Sequence, residues 1–361
     1  MSQKSLLLTP GPLSTSKNVK HSMLNDWGSR DPAFTALTKN IRNNLLKISK
    51  APESYSCVPF QGSGTYGIEA AFSTFTSPSS KVLVLTNGAY GKRACTILSL
   101  LRRPYIELEF KENEPVDPII VENFISKNSD LSHVFMVHCE TTTGVLNPLT
   151  SISSLVKSAN LIFIVDAMSS FGGIPIDFSY TNIDVLISSS NKCLEGVPGI
   201  FFVLAQKTLI KNSIGNSQSL SLDISSQWSE FETSGQWRFT PPTHVVAALN
   251  EALDELEKEG GVAGRFARYQ DNCNILVNGM RKLGFRTLLH DNIQAPIIVT
   301  FHDDFKPDYS FKNFYSDLQK HGFTIYPGKL TNNMSFRVGC IGNVQRKDMH
   351  MFVSTVKKIT K

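Results

Sequence analysis

Apolar residues fall along the first two thirds of the chain in short unbroken runs: Lys81 to Leu85 (KVLVL), His133 to Val137 (HVFMV), Leu161 to Val165 (LIFIV), Val185 to Ser188 (VLIS) and Ile200 to Leu204 (IFFVL). A strand with one face in water alternates apolar and polar side chains, whereas a strand covered on both faces has no need to. The runs therefore predict a sheet buried between helices, which is an α/β fold. The intervening chain supplies the helices: Gly67 to Thr74, Ser151 to Ser158 and Val245 to Glu259 carry apolar residues at helical spacing, and the last of them stops at Gly260 and Gly261. That glycine pair marks a domain junction, with a large domain over residues 16–259 and a small α+β domain over 260–361. In the latter the pattern predicts a helix from Arg265 to Leu283, a strand from Pro296 to Phe301, a helix from Phe311 to Lys320 and short strands at Phe323 to Tyr326 and Ser335 to Val338. Gly215 to Gly235 is rich in Ser and Gln, lacks periodicity and reads as a long functional loop.

Composition narrows the function classes. With 361 residues, 41% hydrophobic and 19% charged, the chain is long and apolar enough for one large core and a smaller second one. The formal charge of +5 is spread rather than gathered into a basic stripe, which argues against nucleic acid and weakly favours anionic small molecules. The opening MSQKSLLLTPGP has too short an apolar run for a signal peptide or a membrane span, so a cytoplasmic protein with no membrane partner is expected. The six cysteines lie far apart, with no CxxC pair and no His spacing for zinc, and are expected to be free thiols with no metal.

Two of the runs end in residues that are costly to bury. FIVDAMSSFGG carries Asp166, and DVLISSSNKCLEG carries Lys192. In an α/β sheet, ligands bind beyond the carboxyl ends of the strands, so both side chains are expected in one crevice. An amine, an anion, amide donors for a phosphate and a flat aromatic face are what pyridoxal phosphate requires of a protein. Lys192 offers the amine and Asp166 the anion for the pyridine nitrogen. A carboxylate about 4 Å from that nitrogen is worth about 4 kcal/mol at an effective dielectric near 20, which holds the ring protonated. Once released from its imine, Lys192 is the natural base for the substrate proton, its pKa lowered by burial.

The Gly-rich turn QGSGTYGIEA opens a helix and presents amides together with the hydroxyls of Ser63 and Thr65, a phosphate cradle around Gly64. Its glycines also spell GxGxxG, but the strand KVLVL runs into Thr86, Asn87 and Gly88 rather than the acidic residue a dinucleotide site needs. Tyr90 in TNGAYGKR supplies an aromatic face. In HCETTTG, one of Thr141, Thr142 and Thr143 could reach the cofactor's phenolic oxygen, and spacing alone does not choose among them. Arg337 in SFRVGCIG closes a strand where a guanidinium could grip a substrate carboxylate with two hydrogen bonds.

These stretches, with LLLTPGPL, SLSLDI, WRFTPPTH, EGGVAGR and YPGK, resemble the class V aminotransferases of fold type I over nearly the whole chain. The resemblance implies a pyridoxal 5'-phosphate enzyme with a mostly parallel seven-stranded sheet in its large domain. It also implies a homodimer with shared active sites, and an N-terminal segment, residues 1–15, near the active site and the subunit interface. Lys192 then matches the Schiff-base lysine, Asp166 the partner of the pyridine nitrogen, and Ser63, Gly64 and Thr65 the phosphate cradle. Tyr90 matches the stacking aromatic, Thr141 a cofactor contact, and Arg337 the arginine that takes the carboxylate of alanine or pyruvate. Thr240 of WRFTPP is expected to reach the phosphate from the neighbouring subunit. Within the family the chain is most similar to enzymes that exchange an amino group between 2-aminoethylphosphonate and pyruvate, in the degradative or the biosynthetic direction; transfer among alanine, serine and glyoxylate is the alternative. Arg30, in NDWGSRDPAF, is a candidate phosphonate contact or else a plain surface charge.

Overall fold

A computed structural model describes residues 5–303, 310–328, 330 and 334–360, so Lys329 of the YPGK stretch lies outside the described residues. The large sheet has seven strands: β1 (Tyr55–Gln61), β2 (Val82–Thr86), β3 (Tyr105–Glu109), β4 (His133–Val137), β5 (Ile162–Asp166), β6 (Val185–Ser189) and β7 (Ile200–Gln206). Their order is β1-β7-β6-β5-β4-β2-β3, and β7 alone runs against its neighbours.

All five apolar runs form strands of this sheet. Successive residues of one strand enter opposite cores: Leu83 and Leu85 join one cluster, and Val82 and Val84 the other. Both faces are thus covered, which is why the runs need no polar alternation. The pattern missed β1 and β3 because they are the sheet's edges. Pro59 interrupts the apolar run of β1, where an edge strand tolerates a residue with no N–H, and β3 alternates with Glu107 and Glu109 on a half-exposed rim.

The helices used below are α1 (Pro32–Ile48), α2 (Gly64–Phe75), α3 (Ala89–Leu100), α4 (Leu149–Ser158), α5 (Ile224–Ser234), α6 (Thr243–Lys258), α7 (Gly261–Lys282), α8 (Phe311–Lys320) and α9 (Arg346–Ile359). One expectation is corrected. The segment from Gly215 to Gly235 is not a loop throughout, since α5 occupies its second half. Asp223 caps that helix by accepting from Ser225 N and Ser226 N, Gly235 ends it at φ 72°, and Trp228 and Phe231 are buried. Its serines and glutamine masked a helix whose stability comes from packing rather than propensity.

The C-terminal portion builds a second, antiparallel sheet from β8 (Ile298–His302), β9 (Tyr326–Pro327) and β10 (Ser335–Gly339), in the order β8-β10-β9. Phe285, Phe301, Phe314 and Phe336 pack together there, Phe301 and Phe336 stacked with centroids 5.3 Å apart and Phe285 and Phe314 meeting Phe336 edge-on. The N-terminal segment joins this portion, Leu6–Leu7 pairing in parallel with Phe323–Thr324.

Candidate active site

Register brings the chemistry together. Val137 lies opposite Asp166 and Asp166 opposite Ile187, so β4, β5 and β6 end side by side. Beyond those ends opens a cavity of about 620 Å³ lined by six of the predicted residues: Ser63, Gly64, Thr65, Tyr90, Asp166 and Lys192.

Asp166 sits on the cavity floor, 6% exposed, its Oδ1 accepting from Met168 N at 2.9 Å. Among the described residues no basic side chain forms an ion pair with it. Burial pushes its carboxyl up to about 7. An anion buried without its cation is unfavourable, and the site has room for a cationic group against it. Lys192 donates from Nζ to Pro10 O at 2.5 Å, and burial depresses its ammonium below the usual lysine range, opposed by Tyr90, Cys193 and Asp166. The TPGP stretch covers the lysine so closely that a Cβ on Gly11, whose φ is +116°, would stand 2.7 Å from Lys192 Cδ.

Across the cavity α2 begins. Ser63, its N-cap residue, makes no side-chain cap bond, and the amides of Gly64 and Thr65 have no partner within the helix, whereas Tyr66 N donates to Ser63 O at 3.0 Å. Thr65 Oγ1 accepts from Arg93 Nη1 at 3.2 Å, which adds a positive charge to the cradle. Donors, hydroxyls and a guanidinium converge here as a phosphate requires. Together with Asp166, which has no ion-pair partner among the described residues, and the half-buried Lys192, they fit pyridoxal phosphate.

Tyr90 stands in the first turn of α3, with the Arg93 guanidinium 4.9 Å from its ring centroid. What holds it there is Glu140, which sequence reasoning quoted within HCETTTG but did not single out. Its buried carboxylate accepts from Tyr90 N and Gly91 N through Oε2, and from Thr142 N and Thr142 Oγ1 through Oε1. Burial raises its pKa, and those hydrogen bonds oppose the shift. The readable signal was an acid three residues beyond the end of a buried strand. Of the three threonines, Thr142 Oγ1 is committed to Glu140 and Ala89 N, and Thr143 Oγ1 to Glu140 O and Val145 N. Thr141 Oγ1 has no such commitment, and its carbonyl accepts from Arg337 Nη1 at 2.8 Å.

Arg337 is 2% exposed, its Nε donates to Pro327 O at 3.1 Å, and no carboxylate pairs with it among the described residues. Burial pulls its pKa down, and its charge in turn lowers that of Lys192. Thr141 and Arg337 are buried but are not among the residues that line this cavity, and neither are Arg30 and Thr240. The latter two are exposed, and Thr240 lines an adjoining cavity of about 550 Å³ that shares Gln61, Gly62 and Tyr66 with the first.

Comparison with known proteins agrees with this geometry. A sequence model described as "Aminotransferase class-V" matches residues 13–330. The chain is 50% identical to a 2-aminoethylphosphonate–pyruvate transaminase of Pseudomonas fluorescens, over 98% of this chain and 96% of that protein. It is likewise 50% identical to one from Pseudomonas aeruginosa, over 97% and 95%. Among solved structures, a pyridoxamine-pyruvate aminotransferase from Mesorhizobium loti superposes with a TM-score of 0.91 at 23% identity, covering 99% of this chain and 92% of that one. An alanine–glyoxylate aminotransferase from Nostoc sp. gives 0.90 at 22% identity, covering 99% and 96%. At such identities the structures establish a shared fold.

Proposed function

This chain belongs to the class V aminotransferases, whose cofactor is pyridoxal 5'-phosphate, and from that premise we propose that it transfers the amino group of 2-aminoethylphosphonate to pyruvate, giving phosphonoacetaldehyde and L-alanine. The substrate pair is that of relatives half identical over nearly the full length. The single observation that carries the site reading is a buried carboxyl with no ion-pair partner among the described residues, Asp166, in one cavity with a half-buried lysine, Lys192. When bound, the cofactor supplies an electron sink for the carbon from which the substrate proton leaves.

The protein's own groups do the rest. Lys192 would hold the cofactor through its Nζ and, when released from it, would serve as the base that takes and returns the substrate proton, a task its depressed pKa suits. Asp166 keeps the ring nitrogen protonated. Ser63, Gly64 and Thr65 bind the phosphate, Tyr90 covers the ring, and Thr141 is the threonine left free to reach the phenolic oxygen. Arg337, already committed through Nε and Nη1 to two carbonyls, presents the rest of its fork to the carboxylate of pyruvate or alanine. The exposure of Thr240 beside the cavity supports a homodimer in which it completes the partner's phosphate site. Arg30 is exposed and lines neither the Lys192 cavity nor the one that Thr240 lines, which supports the plain surface charge over the phosphonate contact. We read residues 16–259 as the cofactor-binding domain and 260–361 as the small domain, and we place the enzyme in the cytoplasm. No described helix is long and apolar enough to cross a membrane.

The test is the absorbance of the cofactor-loaded protein before and after adding 2-aminoethylphosphonate without pyruvate. Conversion of the lysine-bound band to the amine form, reversed by pyruvate, is the expected result. A band that responds only to alanine or serine overturns the phosphonate assignment, and the absence of any band after reconstitution overturns the role of Lys192.

A further inference from the structure

Two sequence motifs remain without a role: the residues after the lysine in NKCLEG, and EGGVAGR at the start of α7. In the fold they meet. Glu195 is 5% exposed, and its Oε1 accepts from Arg268 Nη2 at 2.7 Å and from Tyr269 OH at 2.6 Å. Glu259, after α6, accepts from Arg265 Nε and Arg268 Nε, each at 2.6 Å. The remaining donors grip backbone. Arg265 Nη1 donates to Cys193 O at 2.6 Å, and Arg268 Nη1 to Gly342 O at 2.6 Å and Val344 O at 3.1 Å.

Cys193 O and Glu195 belong to the turn that carries Lys192, which is closed by Glu195 N donating to Lys192 O at 2.8 Å. Gly342 and Val344 follow β10, the strand that carries Arg337. We propose that Glu195, Glu259, Arg265, Arg268 and Tyr269 are positioning residues, a largely buried and charge-balanced clamp built around the first turns of α7 that fixes the Lys192 turn relative to the Arg337 strand. The inference rests on the reading that Lys192 holds the cofactor and Arg337 the substrate carboxylate.

Three observations favour position over stability. Buried ion clusters contribute little net stability compared with apolar packing of similar volume, whereas they fix geometry through directed bonds. Glu195 holds φ at 62°, a left-handed conformation unfavourable to a residue with a side chain, and it thereby directs its carboxylate at Arg268 and Tyr269. The turn is also packed without slack, since a Cβ on Gly173 of the Asp166 segment would stand 2.6 Å from Cys193 Sγ. An error in the height of Lys192 is transmitted to the reacting atoms, and misplacement by about 1 Å costs up to about a hundredfold in rate.

The experiment uses cofactor-loaded wild type, Glu195→Gln and Tyr269→Phe. The readouts are kcat, the visible circular dichroism of the bound cofactor, which reports its orientation, and far-ultraviolet circular dichroism for the fold. Glu195→Gln is expected to lower kcat by about tenfold to a hundredfold and to change the visible ellipticity, with the far-ultraviolet spectrum intact. Tyr269→Phe keeps all four charges and is expected to show a smaller change in the same direction; it decides the matter should Glu195→Gln fail to fold. Visible ellipticity and kcat within twofold of wild type, whether or not the melting temperature falls, overturn the inference. Borohydride reduction of the wild type with peptide mapping is read separately: a label elsewhere than Lys192 refutes the site reading itself.

Discussion

Asp166 is held at the cost of the empty protein's stability, and the size of that cost can be worked out. Burial moves its carboxyl from 3.8 to about 7. The folded state therefore binds its proton more tightly than the unfolded state does. Stability from this group is fully present below pH 3.8, falls as the pH rises, and is lost above about 7. Three pK units correspond to about 4 kcal/mol. Asp166→Asn keeps an oxygen for the bond from Met168 N and removes the charge. The cofactor-free variant should accordingly be more stable than cofactor-free wild type at pH 8, by up to about 4 kcal/mol, and the difference should close as the pH falls towards 4. Cofactor binding offsets that difference, because a carboxylate about 4 Å from the ring nitrogen is worth about 4 kcal/mol, so the wild type should bind the cofactor about three orders of magnitude more tightly than the variant. Urea unfolding of both cofactor-free proteins across this pH range, with cofactor titrations at pH 8, measures both effects. Equal stabilities at pH 8, or a difference that does not shrink on acidification, would refute the account of Asp166 as an uncompensated buried charge.

Lys192→Ala should reduce turnover below detection while the protein still retains cofactor on gel filtration, and near-normal activity would remove Lys192 from its role. Arg337→Ala should raise the KM for pyruvate by about ten- to a hundredfold, the loss of about 1.5–3 kcal/mol for a charge-assisted hydrogen bond, with much less effect on the KM for the phosphonate amine; steady-state kinetics against each substrate separate the two. Gly11→Ala forces a side chain into positive φ, at about 1–2 kcal/mol, and drives a methyl into Lys192; a lower melting temperature together with slower reduction of the lysine-bound cofactor by borohydride is expected.

Strand cores were legible because burial on both faces leaves an unmistakable signal, an unbroken apolar run, and five of seven strands carried it. The edges did not, since Pro59 and Ser56 break the apolar run of β1 and Glu107 and Glu109 that of β3, as an edge strand tolerates. Helix α5 was hidden because its serines suit a loop as well as a helix, and only the pocket that takes Trp228 and Phe231 selects the helix. The meeting of Asp166 and Lys192 in one cavity was readable, as charged residues at or just beyond the ends of apolar strands are too costly to bury without use. What the chain alone determined is therefore which residue types meet at the carboxyl ends of the sheet, fixed by strand order and the period of burial. What tertiary structure decided is everything that depends on contacts distant in sequence: that Thr141 is the uncommitted threonine, that Glu140 anchors Tyr90, that Pro10 covers Lys192, and that Glu195 meets Arg268. Hydrogen-bond partners far apart along the chain leave no periodicity behind them, and only the packed fold chooses among the many pairs the sequence permits.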